Sequence, residues 1–161
     1  MKDFLYLRKF PDPVLREKCE PIQNINENIL FILDKMLEIM HRNNGVGLAA
    51  PQIGLKLRLV TISTGKDTWK LINPEIIEKD GTQTVEEGCL SIPETYLRIS
   101  RSKKVFIKAL DETGKEIEIE GENTLAQIIQ HELDHLDGKL IIDYIKNKKY
   151  IEFLLSYRRT N

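Results

Sequence analysis

The segment QIIQHELDHLDG, residues 127–138, constrains this chain more than any other. His131 and His135 stand four residues apart, so on a helix both project from one face, one turn apart, a separation that one metal ion can bridge. Leu125, Ile129, Leu133 and Leu136 form an apolar stripe on the same expected helix, and Ile128, His131, Glu132 and His135 share the adjoining face. Such a helix has to lie at the edge of a core, with other elements packed around it, where neutral imidazoles can reach an ion in a partly desolvated site. Asn123, a residue type that caps well, is expected to open it, and Gly138 to mark its end.

With 161 residues, 41% of them hydrophobic, the chain can fill one well-buried core and not two, so residues 1–161 read as a single domain. The net charge of −1, with cations scattered among acids, argues against a face for nucleic acid or for a membrane surface. The N-terminal stretch MKDFLYLRKFPDPVL is broken by charges and prolines before any apolar run of signal-peptide length, and no later segment approaches a membrane span. A cytoplasmic location is the expectation. Cys19 and Cys89 are far apart and differ in surroundings, which is poor support for a disulfide framework and leaves a thiol free for metal.

Elsewhere, Ile29, Leu33, Met36, Leu37 and Met40 recur at helical spacing between a cap at Asn26 and a stop at Gly45. LRLVTIS from Leu57, WKLINPEIIE from Trp69, TQTVEE from Thr82, KVFIKAL from Lys104 and KEIEIEG from Lys115 read as short strands, punctuated by KDG and by DETG, the latter suiting a hairpin turn. The amphipathic YIEFLLSYRRT predicts a C-terminal helix. The expected class is α+β, with largely antiparallel sheet around the histidine-bearing helix.

A hydrolytic zinc-type site needs three protein ligands and an open position, and the HExxH helix supplies two. A continued HExxHxxGxxH pattern holds through Gly138 but places Ile141 where the next histidine belongs. Glu152 lies on the expected C-terminal helix, with Ile151, Phe153 and Leu154 as packed neighbours that turn it to solvent. It stays open as a thermolysin-like ligand. Cys89 in EEGCLSIP is the third candidate: Gly88 lets a chain approach the backbone closely, and Pro93 is expected to end the segment as loop, facing the thiol to a cleft.

The segments GVGLAAPQIG (residues 45–54), EGCLSIP (87–93) and QHELDH (130–135), in this order and spacing, closely resemble the three signature motifs of the peptide deformylases. FPDPVLREKCEPI is similar to that family's opening segment, so the resemblance covers nearly the whole chain. It implies the α+β deformylase fold, antiparallel sheets around a central metal-binding helix, with the C-terminal helix that many bacterial members carry. It also implies removal of the formyl group from nascent polypeptides that begin with formylmethionine, with release of formate.

On that resemblance Cys89, His131 and His135 hold one divalent ion, and Glu132 moves the proton between water and the leaving amine. The Gln52 side-chain amide and the Leu90 backbone N–H steady the oxyanion. Val46, Gly47 and Gly88 would pair with the substrate backbone as an added strand, and Val46, Leu48 and Ile128 would wall the methionine pocket. The ligand set suits Fe2+, Zn2+, Ni2+ or Co2+ alike; the resemblance implies Fe2+ in the cell. Gln130, next to the first ligand, is expected to steady the ligand shell. The partners implied are N-formyl-Met peptides and nascent chains, with room for transient ribosome association, and neither nucleic-acid specificity nor a membrane. Tyr96 departs from the family, where many members carry arginine, which bears on the grip beyond methionine. A metal endopeptidase using Glu152, and a non-catalytic metal-binding module in which Glu132 is structural, are the rival readings.

Overall fold

The computed structural model describes residues 5–160, with side chains described up to residue 157; residues 1–4, where the N-terminal stretch read above begins, and residue 161 lie outside the described residues. The helix α1 (Glu27–Arg42) opens as expected, the Asn26 side chain accepting the Ile29 N–H at 3.1 Å. Its end differs. Asn44, with φ of 54°, takes the left-handed turn and Gly45 does not, because asparagine tolerates that region.

After α1 come β1 (Gly47–Ala49), β2 (Leu59–Ser63), β3 (Thr68–Asp80), β4 (Gln83–Cys89), β5 (Ile92–Arg101), β6 (Lys104–Leu110) and β7 (Glu116–Glu122), then α2 (Thr124–Leu136) and α3 (Asn147–Thr160). One antiparallel sheet runs in the order β1-β2-β3-β6-β7, and β4 with β5 forms a second. The fold class is the expected α+β. DETG closes the β6–β7 hairpin, where the Asp111 carboxylate accepts the N–H groups of Thr113 and Lys115 at 2.8 and 3.1 Å. KDG makes no hairpin, since β3 pairs with β6; this turn carries the chain from one sheet to the other.

Sequence patterning missed β1 and β5. The first is only three residues long and reads as loop. In the second, Pro93 reads as a strand stop, but β5 is an edge strand with a bulge, where a missing N–H costs no ladder bond. β3 likewise passes through Pro74 by a register shift beside Asn73, whose φ is 52°.

Side-chain alternation splits the first sheet between two helices. Leu48, Leu59 and Ile72 pack with Ile29, Leu33, Met36 and Met40 of α1. Ala49, Val60, Ile62 and Leu71 pack with Ile129, Leu133 and Leu136 of α2, and Cys19 belongs to this cluster. Each such buried aliphatic side chain contributes about 1.5–3 kcal/mol, and together they fix α2 across the sheet. α3 attaches through Phe10, Phe153 and Tyr157, whose ring centroids lie 5.5 to 6.2 Å apart. Among the described residues no helix is long and apolar enough to cross a membrane.

α2 starts after Asn123, but the asparagine side chain does not cap it. With φ of 51°, Asn123 is held by its backbone: its N–H donates to Lys103 O at 2.8 Å and its C=O accepts from Gln127 N and Gln83 Nε2. Gly138, φ 71°, turns the chain at the other end, and a Cβ there would collide with the Arg16 backbone.

Candidate metal centre and its cleft

The helical spacing of α2 brings the His131 and His135 Nε2 atoms to 3.3 Å of one another, and Cys89 Sγ, at the end of β4, lies 3.4 Å from His135 Nε2. One ligand-type atom from each of the three residues falls within 4.8 Å of the others. Glu152 is on the exposed side of α3 and is not part of this group.

Two interactions hold β4 over α2. Gln127 Nε2 donates to Glu86 O at 3.0 Å, and the buried Glu87 carboxylate, 3% exposed, accepts from His131 Nδ1 at 2.9 Å. That bond turns the His131 Nε2 toward Cys89 and His135. Glu87 is clamped in turn by Arg101, Nε to Oε1 at 2.7 Å and Nη2 to Oε2 at 2.9 Å. Arg101 also donates to Asp134 at 2.6 Å and to Tyr144 OH at 2.8 Å, and the Tyr144 hydroxyl donates to Asp134 at 2.7 Å. Sequence reading assigned no role to Glu87, Arg101, Asp134 or Tyr144. Gln130, expected beside the ligands, bonds instead to the backbone of Ser102 and Ala126 and so ties α2 to the β5–β6 corner.

The surroundings act on the two imidazoles in opposite directions. Burial works against a charged His131, but bonds to Cys89 and Glu87 and the Glu132 charge outweigh it and hold this ring well above the usual histidine range. Burial, with the charges of His131 and Arg101, drives His135 well below that range, keeping it a neutral donor. A thiol and two imidazoles whose ligand atoms converge within 4.8 Å of one another fit a divalent metal ion of the borderline-soft type.

Glu132 is 4% exposed, and burial pushes its carboxyl up to about 7 against the pull of the His131 charge. Its Oε2, like His135 Nδ1, is buried with no hydrogen-bond partner among the described residues. Gly47 stands against it: a Cβ there would lie 2.8 Å from Glu132 Cδ and Cγ, so β1 can pass only as glycine. Gln52, 1% exposed in the 3-10 turn Ala50–Ile53, has Oε1 fixed by the Ala49 N–H at 2.9 Å. Its Nε2 therefore faces Ser91 Oγ at 3.2 Å and Cys89 Sγ at 3.7 Å, as a donor aimed at the cluster.

A cleft of about 530 Å³ opens on this group, and Val46, Gly47, Gly88, Leu90, Ile128 and Glu132 are among its lining residues. Leu48, expected as a wall of the methionine pocket, is not there: between Gly47 and Ala49 it alternates to the other face of the sheet and is buried against α1. Of Val46, expected to offer main-chain hydrogen bonds to substrate, the carbonyl already accepts the Ser63 N–H at 2.8 Å, and the alternation of β1 turns the Gly47 peptide groups to the open edge.

Comparison with known proteins agrees with this geometry. The family model for polypeptide deformylase matches residues 5–150. The peptide deformylase of Thermoanaerobacter pseudethanolicus is 52% identical over 149 residues, covering 92% of this chain and 91% of that protein. The crystal structure of a peptide deformylase from Legionella pneumophila superimposes with a TM-score of 0.90 at 38% identity, over 98% of this chain and 96% of that one. The corresponding enzyme from Thermotoga maritima gives 0.85 at 43%, over 89% and 98%.

Proposed function

The chain belongs to the polypeptide deformylase family, and from that premise we propose how its residues carry out the family's reaction, the hydrolysis of the N-terminal formyl group from formylmethionine of nascent polypeptides with release of formate. Residues 1–161 act as one catalytic domain. Cys89, His131 and His135 hold a single divalent ion. When bound, the ion supplies Lewis acidity that brings the pKa of the attacking water toward neutrality.

Glu132 takes the proton from that water and later delivers it to the amine nitrogen as the C–N bond breaks. A carboxyl near 7 suits both halves of the transfer. Gln52 Nε2, oriented by the bond that the Ala49 N–H donates to Gln52 Oε1, and the Leu90 backbone N–H in the turn between β4 and β5 donate to the formyl oxygen as it gains charge. Gly47 and Gly88 align the substrate backbone as an added strand, and Val46 and Ile128 line the space for the methionine side chain. The ion in the cell is Fe2+, with Zn2+, Ni2+ or Co2+ able to take its place, since the ligand types alone do not choose. The location is cytoplasmic, where nascent chains emerge, and ribosome association is transient.

The observation that carries this reading is the convergence of Cys89 on the HExxH pair beside a buried, unpaired Glu132. It is tested by assaying formate release from a formyl-Met peptide, anaerobically, with iron-loaded protein. Formate release dependent on the ion is expected. Cleavage of internal peptide bonds without formate release would hand the site to the endopeptidase reading.

A further inference from the structure

The pairing of β4 with β5 is broken at one point. Glu87 pairs with Leu97 and Cys89 with Ile92, so the single residue Gly88 on β4 faces four on β5, residues 93–96. This bulge carries three extra residues where an ordinary bulge carries one, and bulges commonly re-aim a side chain beside a site. Glu94 at its tip has φ of 59°, a left-handed conformation that side chains other than glycine seldom adopt, and the Thr95 hydroxyl donates back to Pro93 O at 3.3 Å.

The result of this excursion is the position of Tyr96. A Cβ on Gly88 would stand 2.9 Å from Tyr96 Cε1 and 3.1 Å from Cδ1, so the ring lies on the Gly88 backbone. Yet Tyr96 is 70% exposed and lines the cleft with Glu94 and Thr95. An aromatic ring held by the backbone beneath it, with most of its surface open to a cleft, is a contact surface and not a core residue. Gly88 directly precedes Cys89. On the deformylase reading above, the formyl group is at Cys89, and an extended peptide advances about 3.3 Å per residue along Gly88. The ring then meets the chain just past the methionine.

We infer that the bulge of residues 93–96 reads the second residue of the substrate, with Tyr96 as a platform that favours formyl-Met peptides carrying a flat side chain there, aromatic or guanidinium. Stacking on one exposed ring supports a preference of about 2- to 10-fold in kcat/KM over alanine at that position. It is made equally in ground state and transition state, so it resides in KM.

The test compares formate release from formyl-Met-Phe, formyl-Met-Arg and formyl-Met-Ala peptides by the iron-loaded wild type, Tyr96→Ala and Tyr96→Phe. The expected result is a wild-type preference for Phe and Arg over Ala, carried by KM, which Tyr96→Phe keeps and Tyr96→Ala flattens. A wild type that releases formate equally well from all three peptides overturns the inference and leaves the deformylase reading standing. So does a preference that Tyr96→Ala retains. A wild type that releases no formate from any of them overturns both.

Discussion

Gln127, Gln130 and Asp134 lie along one stripe of α2 and His131, Glu132 and His135 along the next, and the two stripes differ in how their polar atoms are paired. On the first, every side chain is bound to another element: Gln127 to Glu86 O, Gln130 to Ser102, and Asp134 to Arg101 and Tyr144. On the second, Glu132 Oε2 and His135 Nδ1 are buried without a partner among the described residues. An unmet buried polar group costs about 1–3 kcal/mol, so the fold carries this only where something else holds the helix. The first stripe anchors; on the second only His131 is tied, to Glu87, and Glu132 and His135 keep the free atoms that the proposed function uses.

The comparison is broken most severely at the metal group itself. Cys89→Ala is expected to remove bound metal and formate release together, while Glu152→Ala, on the exposed side of α3, leaves both nearly intact. Metal analysis and activity measured on the same preparations decide it. Metal lost from the Glu152 variant and kept by the Cys89 variant would move the third ligand to α3.

Glu132→Gln comes next. The amide keeps the shape against Gly47 and cannot accept the proton, so turnover should fall by about 10²- to 10⁴-fold with metal content unchanged. Turnover near that of wild type would remove Glu132 from the proton path.

On the anchoring side the effects should be smaller in activity and larger in stability. Glu87→Gln weakens the bond that orients His131, for which a loss of about 10- to 100-fold in metal affinity is expected. Arg101→Met leaves the buried Glu87 carboxylate without its clamp and should cost on the order of 3–5 kcal/mol in denaturant unfolding. If Arg101→Met unfolds like wild type and Glu87→Gln binds metal like wild type, the two stripes do not divide the work in this way.

The stripes also differ in how far the sequence shows them. His131, Glu132 and His135 were legible because helical spacing is local, and Cys89 because it sits in a motif with glycine beside it. Arg101 was not: in the sequence it is one of many scattered charges, and its pairing with Glu87 and Asp134 depends on how β4, β5 and α2 meet. The bulge over Gly88 was hidden for a related reason, since Pro93 looks like a strand stop unless the partner strand is known. Leu48 was misplaced because the three residues of β1 give too short an alternation to assign a face. Local spacing on α2 placed His131, Glu132 and His135 on one face, whereas positions set by sheet register, such as Arg101 and Leu48, could not be placed from the sequence.

The smallest effect is expected at the other cysteine. Cys19 is 2% exposed in the cluster beneath α2, its N–H donating to Leu136 O at 2.8 Å, and burial pushes its thiol from 9.0 up to about 11. At neutral pH it is a small hydrophobe, so Cys19→Ala should leave metal binding and formate release at wild-type level and lower stability by about 1 kcal/mol. Its titration offers a sharper check. Because the folded protein keeps this proton where the unfolded chain releases it, the contribution is constant below pH 9 and destabilises the fold progressively as pH rises toward 11, by on the order of 2 kcal/mol. The stability difference between wild type and Cys19→Ala, followed by denaturant unfolding across that range, should therefore shrink with rising pH and change sign before pH 11, where the alanine variant becomes the more stable. A difference that stays constant would mean that Cys19 reaches water, and that the core under α2 is less closed than its packing indicates.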